Sequence, residues 1–582
     1  MPAPLKFISR VGSLPPWIRL VGLALIGAGL SRGRYDWAAN PPLASRAWVL
    51  SLYFYLLILA GIGTAGQVFG LLGRRRFWAV LSVVSVALNL PYRWLGLDQD
   101  FFLGSHPLNY ARANIFTPEW LGRGHSFLPW NSTDTLLLVP LVAALLIGIA
   151  VCRSRLSGTL FGDRRIWGLF SLLLALIVVE TWLHLSFRSP YTYIVSFGQP
   201  ASDHFMSAYP LLPDGRGVVN ADVDYFIRLE ELFQANRSDT PTMLIRRVFP
   251  FYLSSHFSYF LGPYNGFLIV NLAFWTLAAM ATYGFCRDLS GSESCARIAA
   301  VLVACGPGFI MYAAQPMSYL PGYAGLAISA YLYHRLITAG TTPSPCAICA
   351  AGILVGLTML TSDTVTWALF YIGYALWARR SWWRALLSVA AGAVVYAGFL
   401  FLIFRVYGLL PDHTNDKELT SDLQHLVALL LHFDAAKFFP LVSGAIGNYG
   451  MQIMQANFVV PALLALLALF FTQPGKLLLP ALLLLLASFA GSAFLYFGEA
   501  PGLWLAAEPR FSYSSYPAIV MLAAFAVDTL RRHWSSRGQI WAARLSVALP
   551  LLACVFLGNI DAFGFMPHLY FHFYYNVGGV FQ

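Results

Sequence analysis

The chain is 582 residues long, and only 11% of its side chains are charged while 58% are hydrophobic; the formal net charge is +11. A soluble domain carries about 25% charged residues, so this chain cannot clothe itself in polar surface. Apolar runs of about 20 residues recur from end to end, the pattern of a polytopic α-helical membrane protein. That pattern excludes an outer-membrane barrel, whose strands alternate over about ten residues.

The first apolar runs fall near residues 16–32, 48–72, 77–96 and 135–152. They form an N-terminal four-span unit, residues 1–160, whose external loop carries Asp98, Asp100, His106, Glu119 and His125. Their spacing matches no metal-ligand pattern, so the loop is expected to lie irregularly at the interface. The core, residues 161–582, opens with a span near 167–187 and continues after the long polar interval 188–263. Further spans fall near 264–286, 298–314, 319–335, 345–361, 364–378 and 385–407, then 455–472, 477–497, 513–530 and 540–558, about fifteen in all. The expected fold is all-α, with juxtamembrane helices in the 188–263 interval, which is too long for a bare connector. "DVDYFIRLEELF" reads as one such helix, and "RRVFPFYLSSHFSYFLG" (246–262) as another.

The basic residues orient these spans. Placing the N-terminus in the cytoplasm puts "GRRRF" (73–77), 153–165, 286–297, "ARRSWWR" (378–384), 473–476 and "RRHWSSR" (531–537) on one face, as short cytoplasmic loops require. Short clusters between apolar runs are not a nucleic-acid-binding stripe. Seven cysteines make no disulfide framework, and the "CAIC" at Cys346–Cys349 is expected to be packed thiols. The opposite face receives 97–134, 188–263, 408–454, 498–512 and the tail from 559. This face is the periplasm for a bacterial inner-membrane protein and the lumen in a eukaryote.

Polar groups in a chain this apolar concentrate on that outer face. Asp222, Asp224, Arg228, Glu230 and Glu231 crowd into "VVNADVDYFIRLEELF", Arg246 and Arg247 follow, Asp363 sits between two spans, and Glu508 and Arg510 precede a late one. Each has a plain structural reading: Asp222 can cap the helix after it, and Asp224 with Arg228 can be a surface ion pair four residues apart. Together they suit another task. Charges at a bilayer boundary are costly and tend to mark function. A carboxylate can deprotonate an incoming hydroxyl, and arginines can hold a departing phosphate.

From about residue 165 to 558 the chain resembles the GT-C glycosyltransferases, integral-membrane enzymes that use lipid-linked sugar donors. The resemblance follows an ordered series: a span, an external loop with "DVDY" (Asp222, Asp224, Tyr225), then "RRVFPFYL". Next come a segment with Asn271, Tyr283, Arg287, Leu289 and Pro307, "GLTMLTSDTVTWALF" with Asp363, and the closing "EPRFSYSSYP". It implies that Asp222 or Asp224 is the catalytic acid of the external loop, and that Arg510, with Arg246 or Arg247, binds the donor phosphate. Tyr225, Asp363 and Glu508 would contact substrate. The implied reaction moves a sugar from a polyprenyl-phosphate donor to a hydroxyl of a glycan, lipid or protein acceptor, with inversion. No organic cofactor is expected; external acids and a phosphate leave room for a divalent cation. The four extra spans ahead of the catalytic loop depart from the family pattern. Two other classes fit parts of the sequence. A lipid or polysaccharide flippase needs mid-membrane charge, for which Glu180 is the main candidate. An oligosaccharide ligase or polymerase would typically carry an Arg- and His-rich loop.

Overall fold

The computed structural model describes residues 15–31, nine positions between 49 and 82, 164–187, 247–261, 263–306, 313, 318–338, 345–361, 365–377, 382–407, 428, 431, 435–455, 459–471, 474–493 and 513–558. Among these, fourteen α-helices and two short 3₁₀ turns account for nearly every residue, so the fold is all-α. They are α1 (Pro16–Ser31), α2 (Arg164–Phe187), α3 (Phe249–Leu261), α4 (Pro263–Ser290), α5 (Glu293–Ala304), α6 (Tyr319–Thr338) and α7 (Pro345–Thr361). There follow α8 (Val365–Trp377), α9 (Trp382–Tyr407), α10 (Ala435–Gln455), α11 (Val459–Phe471), α12 (Leu478–Ala493), α13 (Tyr516–Ser536) and α14 (Ile540–Gly558).

The bundle is apolar outside as well as inside. Gly266–Ser290 in α4 and Trp382–Arg405 in α9 are long and apolar enough to cross a membrane. They bury opposite amounts: most of α4 faces protein, whereas α9 leaves Val394 71% and Phe401 61% exposed. Phe470 and Trp541 are likewise 77% and 75% exposed. Large apolar side chains turned outward on helix after helix belong in lipid, where they cost nothing. The described helices are those of a multi-pass membrane protein.

Helix ends follow local chemistry more than hydropathy. The expected span 264–286 runs on to Ser290, because Arg287 and Asp288 are compatible with a helix even as they leave the apolar zone. Gly291 stops it, with φ +66° and its N–H donating to Arg287 O at 2.9 Å. Ser292 then starts α5: its Oγ accepts from Cys295 N at 3.3 Å. The helix therefore begins five residues ahead of the expected 298. Its other end is closed by neighbours. Trp275 Nε1 donates to Val303 O and Tyr516 Oη to Leu302 O, both at 2.8 Å, so α13 satisfies a carbonyl that the last turn of α5 leaves open and α4 adds a second donor to Val303 O, which Gly306 N also reaches at 3.0 Å. Both rings are fully buried.

α6, α7, α8 and α9 pack on one another. Tyr371 Oη on α8 reaches Ser329 on α6 and donates to Thr358 Oγ1 on α7, and Tyr333 on α6 meets Ser388 on α9 at 3.1 Å. α7 and α9 run parallel and touch backbone to backbone. A Cβ added at Gly392 would lie 2.8 Å from Val355 Cγ1 and 3.0 Å from Gly352 O; one at Gly356 would lie 2.7 Å from Val395 Cγ1. Small residues at this spacing let helices approach where lipid supplies no hydrophobic drive. Gly392→Val is therefore expected to lower stability by about 1–3 kcal/mol. Ala393→Val, on an exposed position beside it, should leave the unfolding midpoint in detergent unchanged.

The segment 408–454, expected to be an outer loop, contains a helix over much of its length. α10 holds Pro440 and is largely exposed, with Tyr449 stacked edge-on against Phe489 of α12 at 5.4 Å. The "CAIC" pair is only partly within the described side chains: Cys349 is a free, exposed thiol on α7.

Candidate functional site

The two ends of the bundle differ in charge. One end gathers Arg287, Arg297, Arg335, Arg384, Arg531, Arg532 and Arg537, at the close of α4, α6 and α13 and the start of α5 and α9. Among the described residues its acids are all engaged. Asp288 Oδ2 accepts from Arg335 Nη1 at 3.1 Å, with His334 Nε2 3.8 Å away; the other ring nitrogen of His334 meets Tyr374 Oη. Glu293 accepts from Tyr283 Oη at 2.9 Å and from Arg297 Nε at 3.0 Å. Asp528, fully buried, accepts from Ser292 Oγ at 2.8 Å and from Arg531 Nε and Nη2 at 3.0 and 2.9 Å, with Arg532 Nε at 3.2 Å. These pairs tie α4 to α6 and α5 to α13. They are structural ties.

The opposite end carries Arg247. It lies two residues before the first residue of α3, half-buried, its guanidinium over the Tyr319 ring at 5.9 Å. Tyr319 is the first residue of α6. The sequence after Arg247 explains its place. Val248, Phe249, Phe251 and Tyr252 are all buried, and Tyr252 N donates to Val248 O at 2.9 Å to start the helix. Pro250 lies in the first turn, where its missing N–H has no consequence. An apolar wedge thus holds the helix start in the bundle and sets the cation beside it. A cation at a helix N-terminus adds to the positive end of the helix dipole. The arrangement is favourable when an anion sits there too.

Of the residues expected to form the site, Arg247 alone is described. Asp222, Asp224, Tyr225, Arg246, Asp363, Glu508 and Arg510 lie outside the described residues, as does the helix expected at "DVDYFIRLEELF" and the N-terminal unit's external loop. Glu180 falls within α2, its side chain likewise outside. The helix expected in 246–262 is α3, and it is docked on α4.

Chain neighbours of Asp363 and Arg510 do lie at the Arg247 end. Thr361, two residues before Asp363, closes α7 and faces Gly325 on α6, where a Cβ would lie 3.1 Å from Thr361 Oγ1. Tyr513–Ser515, three residues past Arg510, packs against α6 and α12, with Ser514 Oγ 2.6 Å from Ser488 Oγ. Asn271 Nδ2 donates to Ala313 O at 2.8 Å and so fixes the approach to α6. Beside Tyr319, the buried Ser318 Oγ has no hydrogen-bond partner among the described residues. No group of three or more His, Cys, Asp or Glu side chains that could hold a metal occurs among the described residues.

The sequence reading missed the Asp288, Glu293 and Asp528 ties. "DTLRRHW" carried a signal for the last, since Asp528 stands three and four residues before its two arginines.

No family model matches the chain, and no curated protein matches it. Among solved structures, ArnT from Cupriavidus metallidurans matches in its apo state at TM-score 0.40 and 14% identity, over 69% of this chain and 76% of that one. The same protein bound to undecaprenyl phosphate matches at TM-score 0.41 and 14% identity, over 69% and 77%. Such a likeness concerns the chain path alone.

Proposed function

We propose that the protein is a GT-C-type glycosyltransferase that moves a sugar from a polyprenyl-phosphate donor to an acceptor hydroxyl at the end of the bundle where Arg247 lies. The observation that carries this reading is the position of Arg247. It lies at the end away from the basic cluster, beside Tyr319, with chain neighbours of Asp363 and Arg510 packed on the same helix. The basic cluster faces the cytoplasm by the positive-inside rule, so the Arg247 end faces the periplasm or lumen.

In this reading Arg510, with Arg246 and Arg247, holds the donor phosphate while its tail lies among the lipid-facing helices. The acceptor oxygen attacks the anomeric carbon, the bond from that carbon to the phosphate oxygen breaks, and polyprenyl phosphate leaves. Asp222 or Asp224 takes the hydroxyl proton, and inversion follows from a single displacement. Tyr225, Asp363 and Glu508 contact the sugar or acceptor. Charge-assisted bonds from arginine to the leaving phosphate strengthen as negative charge develops on it, which is what lowers the barrier.

The test is reconstitution in liposomes with a polyprenyl-phosphate sugar labelled in the sugar. A transferase releases polyprenyl phosphate and passes the label to a water-exposed acceptor. Label that crosses the bilayer still attached to its lipid would instead identify a flippase.

A further inference from the structure

We infer that the N-terminal unit is a positioning element for the phosphate end of the site: Tyr55 pins α3, and with it Arg247, through His256. The inference rests on the reading of Arg247 as a phosphate ligand and assigns a role to residues that reading leaves without one.

Tyr55 belongs to the N-terminal unit, 201 residues from its partner. Its Oη lies 2.6 Å from His256 Nε2, and the contact is buried. The opposite ring nitrogen, Nδ1, is 2.8 Å from Tyr252 O, one turn back on α3. A backbone carbonyl only accepts, so Nδ1 carries the proton. Nε2 is then the acceptor, and Tyr55 is the donor. The three rings also pack edge to face: Tyr55 on Tyr252 at 5.9 Å, Tyr55 on His256 at 5.8 Å, and Tyr252 on His256 at 4.8 Å. Leu23, Leu59 and Leu81 of the N-terminal unit belong to the same continuous apolar core as Val248 and Phe251 of the α3 region.

This contact constrains α3 in rotation and in translation along its axis. Slippage by one residue turns the His256 ring about 100° away from Tyr55 and moves it about 1.5 Å. Arg247 lies nine residues ahead of His256, two residues before the first residue of α3, and Val248 and Phe249 that follow it are buried. Its guanidinium follows any such movement. Placement of a charged ligand against a phosphate is sensitive at that scale, since misplacements of about 1 Å cost up to about a hundredfold in rate. Tyr55 touches no reacting group in this scheme.

The experiment compares wild type, Tyr55→Phe and Arg247→Ala as full-length folded protein in detergent. It measures polyprenyl phosphate binding by native mass spectrometry, and transfer kinetics in liposomes. Tyr55→Phe keeps the ring and loses the donor. The expected result is a rise of about tenfold in Kd for polyprenyl phosphate and a fall of about tenfold or more in kcat/KM for the lipid donor, with the folded fraction unchanged. A merely structural role for Tyr55 would lower the folded fraction and leave the Kd of the folded protein at its wild-type value; that outcome overturns the inference. Arg247→Ala separates the two levels. If it weakens phosphate binding and Tyr55→Phe does not, the positioning role falls and the phosphate reading stands. If Arg247→Ala binds polyprenyl phosphate like wild type, the phosphate reading falls and takes the inference with it.

Discussion

Replacing Asp222 and Asp224 by asparagine, one at a time, should lower the transfer rate about 10²- to 10⁴-fold in one of the two variants. Asparagine keeps the shape and hydrogen-bonding reach of aspartate but cannot hold the acceptor's proton. The lost factor is therefore the general-base contribution alone. The sugar donor binds through its phosphate and tail, so its affinity should survive in both variants. Gel filtration and the unfolding midpoint should match wild type, because the pair lies in a chain segment expected at the water-exposed end of the protein. The variant with the smaller effect identifies the aspartate that caps or pairs, the plain role either residue can fill. A second arm raises the pH: if the proton acceptor has gone, a more ionised acceptor hydroxyl should recover part of the rate in the dead variant only. Loss of less than tenfold in both variants, with the fold intact, would remove these aspartates from the chemistry while leaving the reaction class to be tested by donor turnover.

Helix positions were legible where apolar runs end on strong local signals. α7 and α14 match their expected limits, 345–361 and 540–558. Pro345 begins the first, and the turn through Gly538, at φ +72°, precedes the second. Where charged residues extend a helix beyond the apolar zone, hydropathy stops short: α13 continues to Ser536 through Arg531 and Arg532. α10 was not legible, because Pro440, Gly444, Gly447 and Gly450 read as loop while the neighbouring side chains still permit a helix. The place of Arg247 beside a helix start was legible from "RRVFP", a cation pair abutting an apolar run. The contacts that give it a setting were not. Tyr319, Tyr55 with His256, and Ser292 with Asp528 are paired across 72, 201 and 236 residues, and no local pattern announces such partners.

The same long-range pairing makes the basic end a place where removing cations should hurt more than removing the acid. Asp528 is 0% exposed, whereas the side chains of Arg531 and Arg532 are 34% and 55% exposed. Asp528→Ala frees two arginines that can turn to water, so it costs roughly the lost charge-assisted hydrogen bonds, about 1.5–3 kcal/mol. Arg531→Ala with Arg532→Ala leaves a buried carboxylate whose remaining bond is the one from Ser292 Oγ, and about 3–5 kcal/mol should go. Removing all three should recover about half of that loss and end near the cost of Asp528→Ala alone, since no uncompensated charge remains inside. Ser292→Ala should cost about 1–3 kcal/mol, because it removes one donor to the carboxylate and the cap of α5 together. Unfolding in detergent of the single, double and triple variants gives the coupling directly. If the arginine pair proves cheaper to remove than Asp528, the carboxylate is reached by water in the working protein, and the tie between α5 and α13 rests on apolar packing instead.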